Sequence, residues 1–300
     1  MDQQTHYFLE KDNPSGESEL EDLPIKESRR IIEEALIPSK IQLESVSDIK
    51  IPTSEGEVPL RIYIPNSDKS LPVFISMHGG GWVFGSLNTH DSFCRSLAKQ
   101  ANTIIVSIDY RLAPEHKYPA GLNDCYAAAL WTKRSIHEWG GNPDCISIGG
   151  ISAGANLAAA VVLRLKQQQL FPFQKQVLVV PVVQRNFETS SYKKYATGYY
   201  LSKKLMEWFW ELYINTDADA MEPTVSPLNA SDVSKLPPTL FALAEFDPLY
   251  DEGLAYAEKL KASDVPVIIY NYPTIHGFTS IEGLEIGKKA ISDIASFLRR

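Results

Sequence analysis

GGISAGANLAAAVVL, residues 149–163, sets a single serine between glycines where one apolar run ends and an alanine-rich run begins. Ser152 is either a small residue filling a tight turn or a hydroxyl held out on a sharp strand-to-helix turn, and the stretch alone does not separate the two. The G-x-S-x-G spacing of Gly150-Ile151-Ser152-Ala153-Gly154 favours the second reading. Side chains two positions either side of such a serine would collide across the turn, so small residues are required there. The hydroxyl is then exposed, and the backbone N–H of Ala153 is aimed at whatever the serine attacks.

Outward from this elbow the chain alternates strands with helices. "LPVFISMH" (71–78), "NTIIVSIDY" (102–110), "CISIGG" (145–150), "QVLVVPVV" (176–183), "PTLFALAEF" (238–246) and "VPVIIYNY" (265–272) are short, nearly continuous apolar runs. Such runs suit strands buried on both faces. "VPLRIYIP" (58–65) alternates instead, as a half-buried strand does. Helical patterns over 91–100, 120–138, 153–168, 251–263 and 283–299 separate most of the runs. The expectation is an α/β fold, with a mostly parallel central sheet flanked by helices and an antiparallel start.

Two segments break the rhythm. Residues 1–45 begin polar and acidic and continue into "LPIKESRRIIEEALIPSK", where Ile31, Ile32, Ala35 and Leu36 recur at helical spacing until Pro38. This predicts an N-terminal helical arm. Residues 186–218 are aromatic-rich, with Ser202 as the cap of a helix through Trp208 and Trp210. An insertion of that length after a core strand forms a lid or binding wall, here a cap shared with the arm. The core is then divided into 46–185 and 219–300.

Composition removes several classes of function. The 300 residues are 44% hydrophobic, enough for a large core without disulfide or metal staples. A net charge of −8 with no basic patch excludes a general nucleic-acid binder. No apolar run reaches the length of a membrane span. Cys94, Cys125 and Cys145 are odd in number and make no CxxC spacing, which argues against zinc and for free thiols in a reducing compartment. The start lacks the basic and apolar regions of a secretory signal, so the expected location is the cytoplasm.

"HGGGWVFGS" (78–86) directly follows an apolar run. A glycine run leaves backbone N–H groups unshielded and able to approach a developing oxyanion. The G-x-G-x-x-x-G spacing, crowded by Trp82 and Phe84, does not suit a pyrophosphate, and the GK[ST] of a P-loop is absent. Of the six histidines, His276 follows the last strand-like run and precedes the last helix, where the order Ser…Asp/Glu…His requires a base. The acid belongs after the preceding strand, where Glu245, Asp247 and Asp251 compete. Asp247 is favoured, since Glu245 falls within the strand and Asp251 opens the next helix.

Together "HGGGW" (78–82), "DYRLAPEHKYPA" (109–120), "GISAGANLA" (150–158), "FDPLYDEG" (246–253) and "HGF" (276–278) resemble the hormone-sensitive lipase-like family of α/β-hydrolases, in its bacterial esterase branch. The motifs occur in the family's order over about 200 residues. The resemblance implies Ser152 as nucleophile, His276 as base and later acid, and Asp247 as orienting carboxylate. It implies oxyanion N–H groups from Gly80, Gly81 and Ala153, and a loop shaped by His78 and Gly79 and braced by Asp109 and Arg111. Ile151 stands where the family usually has aspartate or threonine, and Ala155 where it often has glycine; neither change removes a catalytic group.

The expected activity is hydrolysis of short- to medium-chain carboxylic esters through an acyl-enzyme, without metal or organic cofactor. Trp82, Phe84, Phe187, Tyr199, Tyr200 and Trp208 are candidates for an apolar substrate pocket. Amidase, lactonase or deacetylase chemistry on the same residues, and a hydrolase-derived binding protein, are the alternatives. Homodimerisation through the last strand or the cap is expected only at the level of the family.

Overall fold

The apolar runs become the strands of one eight-stranded sheet in a computed structural model that describes residues 1–11, 20–281 and 283–300. The strands are β1 (Ser45–Thr53), β2 (Gly56–Ile64), β3 (Leu71–Met77), β4 (Ile104–Ile108), β5 (Gly141–Ile151), β6 (Gln176–Val179), β7 (Thr239–Phe246) and β8 (Val267–Ile275). Their order is β1-β2-β4-β3-β5-β6-β7-β8. β1 and β2 are antiparallel to their neighbours, and every pairing from β4 to β8 is parallel.

Side chains alternate between the two faces along each parallel strand, as a pleated sheet requires. Ile104, Val106 and Ile108 join the core shared with α4 (Ala120–Ser135), α5 (Ala153–Gln167) and α8 (Tyr250–Ala262). Ile105 joins Phe74 and Val177 beneath α3 (Asp91–Ala101) and α9 (Glu285–Arg299). Both faces of β3, β4, β6 and most of β7 are therefore covered, which is why those runs read as continuous rather than alternating, whereas the edge strand β8 is only half-buried from Val267 to Tyr270. Each fully buried side chain of this size contributes about 1.5–3 kcal/mol.

β1 is the strand that the sequence conceals. Its apolar residues change parity between Val46 and Ile49, and Pro52 interrupts the run. It forms by pairing in register along the whole of β2, from Ser45 opposite Ile64 to Thr53 opposite Gly56.

The arm contains α1 (Gln3–Lys11) and α2 (Ile25–Glu34); its residues 12–19 lie outside the described residues. α2 ends four residues before Pro38, and its inward face differs from the expected stripe. Ile25 and Ile32 pack on the core and Ser28 is buried, whereas Ile31 is 38% exposed. Beyond β6 lie α6 (Ser190–Lys194) and α7 (Lys203–Tyr213), and the Ser202 hydroxyl caps α7 by accepting the Leu205 N–H at 3.0 Å. Among the described residues no helix is long and apolar enough to cross a membrane. Cys94, Cys125 and Cys145 are unpaired.

Besides His276, two histidines are buried. His78 ends the β3 run, and His90 shares a 2.9 Å hydrogen bond with the Ser76 hydroxyl. Burial holds His78 down to about 4 and His90 to about 3. In the unfolded chain both would take up protons near pH 6.5. Their contribution to stability is therefore complete above that pH and is lost as pH falls toward the folded values. Denaturant midpoints measured from pH 7.5 to 4.5 should fall, and His90→Gln should make that fall shallower. An unchanged slope in the variant would remove His90 from the account.

Candidate active site

The elbow exists because two glycines let three backbone segments converge. A Cβ at Gly154 would lie 2.2 Å from the Met77 carbonyl oxygen and 2.4 Å from that of His78. One at Gly150 would lie 2.5 Å from the backbone of Gly154. Hydrogen substituents allow α5 to start directly against the end of β3. Between them Ser152 adopts φ +55° and ψ −118°, a conformation that L side chains rarely hold. Its N–H donates to the Val179 carbonyl at 2.8 Å, and its carbonyl accepts the Asn156 N–H at 3.0 Å. Asn156 is buried and donates onward to the carbonyls of Val182 and Val225, fixing α5 to the loops beyond β6.

The Ser152 hydroxyl lies 2.9 Å from Nε2 of His276, whose Nδ1 is 2.7 Å from Oδ2 of Asp247. A carboxylate only accepts, so Nδ1–H donates to Asp247 and leaves Nε2 to accept from the serine. Asp247 is 1% exposed, and its Oδ1 accepts the Leu249 N–H at 2.8 Å. The competing carboxylates lie elsewhere. Glu245 is exposed, and Asp251 accepts the Ser191 N–H at 2.8 Å. Glu252 is a further buried carboxyl that sequence reasoning missed. Burial raises it well above the usual range, and its Oε1 accepts the N–H groups of Val183 and Gln184. It thereby ties the exit of β6 to the helix that follows Asp247.

The glycine loop lies against the elbow, where a Cβ at Gly79 would be 3.1 Å from the Ile151 carbonyl oxygen and 3.5 Å from Cβ of Ser152. Gly80 and Gly81 hold φ +112° and +59°. The Gly80 carbonyl turns away to accept the N–H groups of Val83 and Phe84, while among the described residues the Gly80 and Gly81 amides donate to no protein acceptor. A Cβ at Gly81 would enter the Phe209 ring at 2.3 Å, so α7 packs directly against the α-carbon of this glycine. His78 is buried and neutral, with Nδ1 bonded to the Gly79 carbonyl at 2.8 Å; it shapes the loop and offers no base.

The brace of this loop differs from expectation. The Asp109 carboxylate accepts the Leu87 N–H at the loop's far end, and burial raises its pKa. Arg111 does not brace the loop: its guanidinium closes on Asp124 at 2.8 Å and on Glu55 at 2.8 Å. The reason is that the Arg111 backbone abuts α4, where a Cβ on Gly121 would lie 2.9 Å from the Arg111 carbonyl oxygen. Tyr110, between them, is the residue turned to the loop. It stacks on His78 at 4.2 Å and donates its hydroxyl to the His78 carbonyl at 2.9 Å. Arg29 of the arm adds a second brace, donating to the carbonyls of Val83 and Ala113.

The proposed pocket aromatics also separate. Trp82 is buried in the seam beneath the cap, stacked on Tyr213 at 4.2 Å, and so packs the cap rather than lining a pocket. Phe84 meets Trp208 and Phe209; Phe187 meets Tyr192; Tyr199 stacks on Phe246. Tyr200 covers the residue after His276, since a Cβ at Gly277 would be 3.3 Å from its ring. Phe209 was missed, although helical spacing places it with Leu205 and Tyr213 on the buried stripe, beside which Trp208 falls. The Ile151 side chain is 3% exposed and joins the apolar cluster with Val179 and Phe278. Among the described residues no three His, Cys, Asp or Glu side chains converge as metal ligands.

Known proteins similar to this chain in sequence and in fold are numerous. A family profile described as alpha/beta hydrolase fold matches residues 74–280. The carboxylic ester hydrolase LipN of Mycobacterium tuberculosis is 37% identical over 278 residues, covering 90% of this chain and 74% of its own. An arylesterase of Saccharolobus solfataricus is 38% identical over 233 residues, 77% of this chain and 76% of its own. The crystal structure of a thermostable esterase from Pseudomonas putida ECU1011 superposes with a TM-score of 0.94 at 34% identity, covering 99% of this chain and 96% of that one. The chain belongs to the hormone-sensitive lipase-like family of α/β-hydrolases, in its branch of bacterial carboxylic ester hydrolases.

Proposed function

We propose that the protein is a serine carboxylesterase acting on short- to medium-chain carboxylic esters. The observation that carries this reading is the relay from buried Asp247 through His276 to Ser152, with contacts of 2.7 and 2.9 Å. His276 takes the serine proton as Oγ attacks the ester carbonyl, and Asp247 stabilises the imidazolium that results. The amides of Gly80, Gly81 and Ala153 receive the tetrahedral oxyanion. His276 then returns the proton to the leaving alcohol, and water resolves the acyl-enzyme by the same path in reverse. The bound acyl chain is limited by the cap aromatics above the loop, Phe209 foremost, which supports small acyl groups over long ones.

Hydrolysis of p-nitrophenyl esters from acetate to dodecanoate tests the reading. Activity should concentrate on the shorter chains and vanish in Ser152→Ala, whereas retained activity in that variant would refute the nucleophile assignment. Asp247→Asn should lower kcat on the order of a thousand- to ten-thousand-fold with the fold intact. Gly81→Ala should cost about a hundredfold in kcat, because the added methyl collides with Phe209 and moves an oxyanion donor. Phe209→Ala should shift the preferred acyl length upward; an unchanged chain-length profile would free Phe209 of any part in substrate selection.

A further inference from the structure

Helix α1 has an unusual way of docking. Among residues 3–11 the one buried side chain is polar, Thr5, and it is fully buried. Its hydroxyl meets that of Thr274, also fully buried, at 2.8 Å, across 269 positions of sequence. Thr274 lies at the end of β8, two residues before His276.

The direction of these hydrogen bonds is settled by chemistry. The Thr5 hydroxyl donates to the Asp2 carboxylate, which only accepts. Thr5 therefore has a lone pair for its neighbour, and Thr274 donates to Thr5. Asp2 is held in turn, since its N–H donates to the Pro273 carbonyl at 2.8 Å and its Oδ1 accepts the N–H groups of Gln4 and Thr5. The Gln4 side-chain oxygen accepts the Glu285 N–H at 2.8 Å, at the start of α9. Residues 273 to 285, with His276 among them, are thus gripped near both ends by the first turn of α1. Farther along the helix, Phe8 meets the edge of Tyr200 at 5.9 Å, and Tyr200 covers Gly277. Tyr200 holds φ +72°, a conformation unfavourable for an aromatic residue and maintained here by its packing.

We propose that α1 is a positioning element for His276, and that Thr5 is its positioning residue. The helix has no fully buried apolar side chain, with Phe8 and Leu9 only partly buried, and nine residues are too few for a stable isolated helix. What it supplies is a fixed end to β8, which keeps the imidazole in line with both Ser152 and Asp247. Misplacement of a reacting group by a fraction of an ångström lowers the rate of the chemical step while leaving substrate binding nearly unchanged. This inference rests on the assignment of His276 as the base.

The test combines hydrogen exchange by mass spectrometry with ester kinetics on the full chain. Thr5→Val keeps the shape of the side chain and removes the hydroxyl. It should speed amide exchange across residues 273–279 about tenfold, leave residues 247–251 unchanged, and lower kcat about five- to tenfold with KM within twofold. Thr5→Ser should restore both values. Thr274→Val should reproduce the Thr5→Val pattern, and the double variant should lose no more than either single one. Wild-type exchange over 273–279 in Thr5→Val would overturn the proposal, as would a rise in KM at unchanged kcat or equal losses in Thr5→Val and Thr5→Ser. A wild-type protein inert toward esters would defeat the proposed function instead, and the exchange comparison would still decide the role of α1.

Discussion

The close approach of Gly154 to the end of β3 is the constraint on which the rest of the site depends. With only 2.2 Å between a would-be Cβ and the Met77 carbonyl oxygen, any side chain would push α5 away from β3. Because that space is empty, two things fall into place. The serine is left on a strained turn, and the glycine loop is brought beside it. The strain at Ser152 persists because its amide and carbonyl are both tied, to Val179 and Asn156.

The surroundings over-determine the loop. Tyr110 stacks beneath His78, Arg29 holds the carbonyls of Val83 and Ala113, and Phe209 closes the top. The N-terminal helix α2, the core and α7 therefore all contact the same few residues. Such rigidity suits the oxyanion role proposed for the loop, because donors fixed in advance need no reorganisation when charge develops. The arm contributes at a second place as well, where the first turn of α1 meets the end of β8.

What the sequence made legible follows the range of the interactions involved. The parallel strands were readable because burial on both faces leaves continuous apolar runs, and the elbow was readable because its glycines sit at fixed local spacing. Ser152 and His276 could be ordered from strand and helix context, and Asp247 could be favoured over Glu245 and Asp251 by its place just past a strand. β1 was concealed because its pairing with β2, rather than its own broken pattern, makes it a strand. Arg111 was assigned to the wrong neighbour because chain proximity to the loop does not tell which way a side chain turns, and α4 supplies Asp124 on the other side. The Thr5–Thr274 contact leaves no local trace in a polar N-terminal segment. Trp82 of the loop packs beneath α7 while Phe209 of α7 meets Gly81, because tertiary packing and helical phase, not local composition, decide which ring faces the loop.

The proposed mechanism requires Ser152 to become covalently bonded during the reaction. The most direct measurement is intact-protein and peptide mass spectrometry after treatment with a p-nitrophenyl phosphonate ester, which leaves a stable phosphonyl group on an activated serine. One adduct per chain is expected, on the peptide containing Ser152, and none in Ser152→Ala. Adduct formation at another residue, or equal labelling of the variant, would contradict that mechanism.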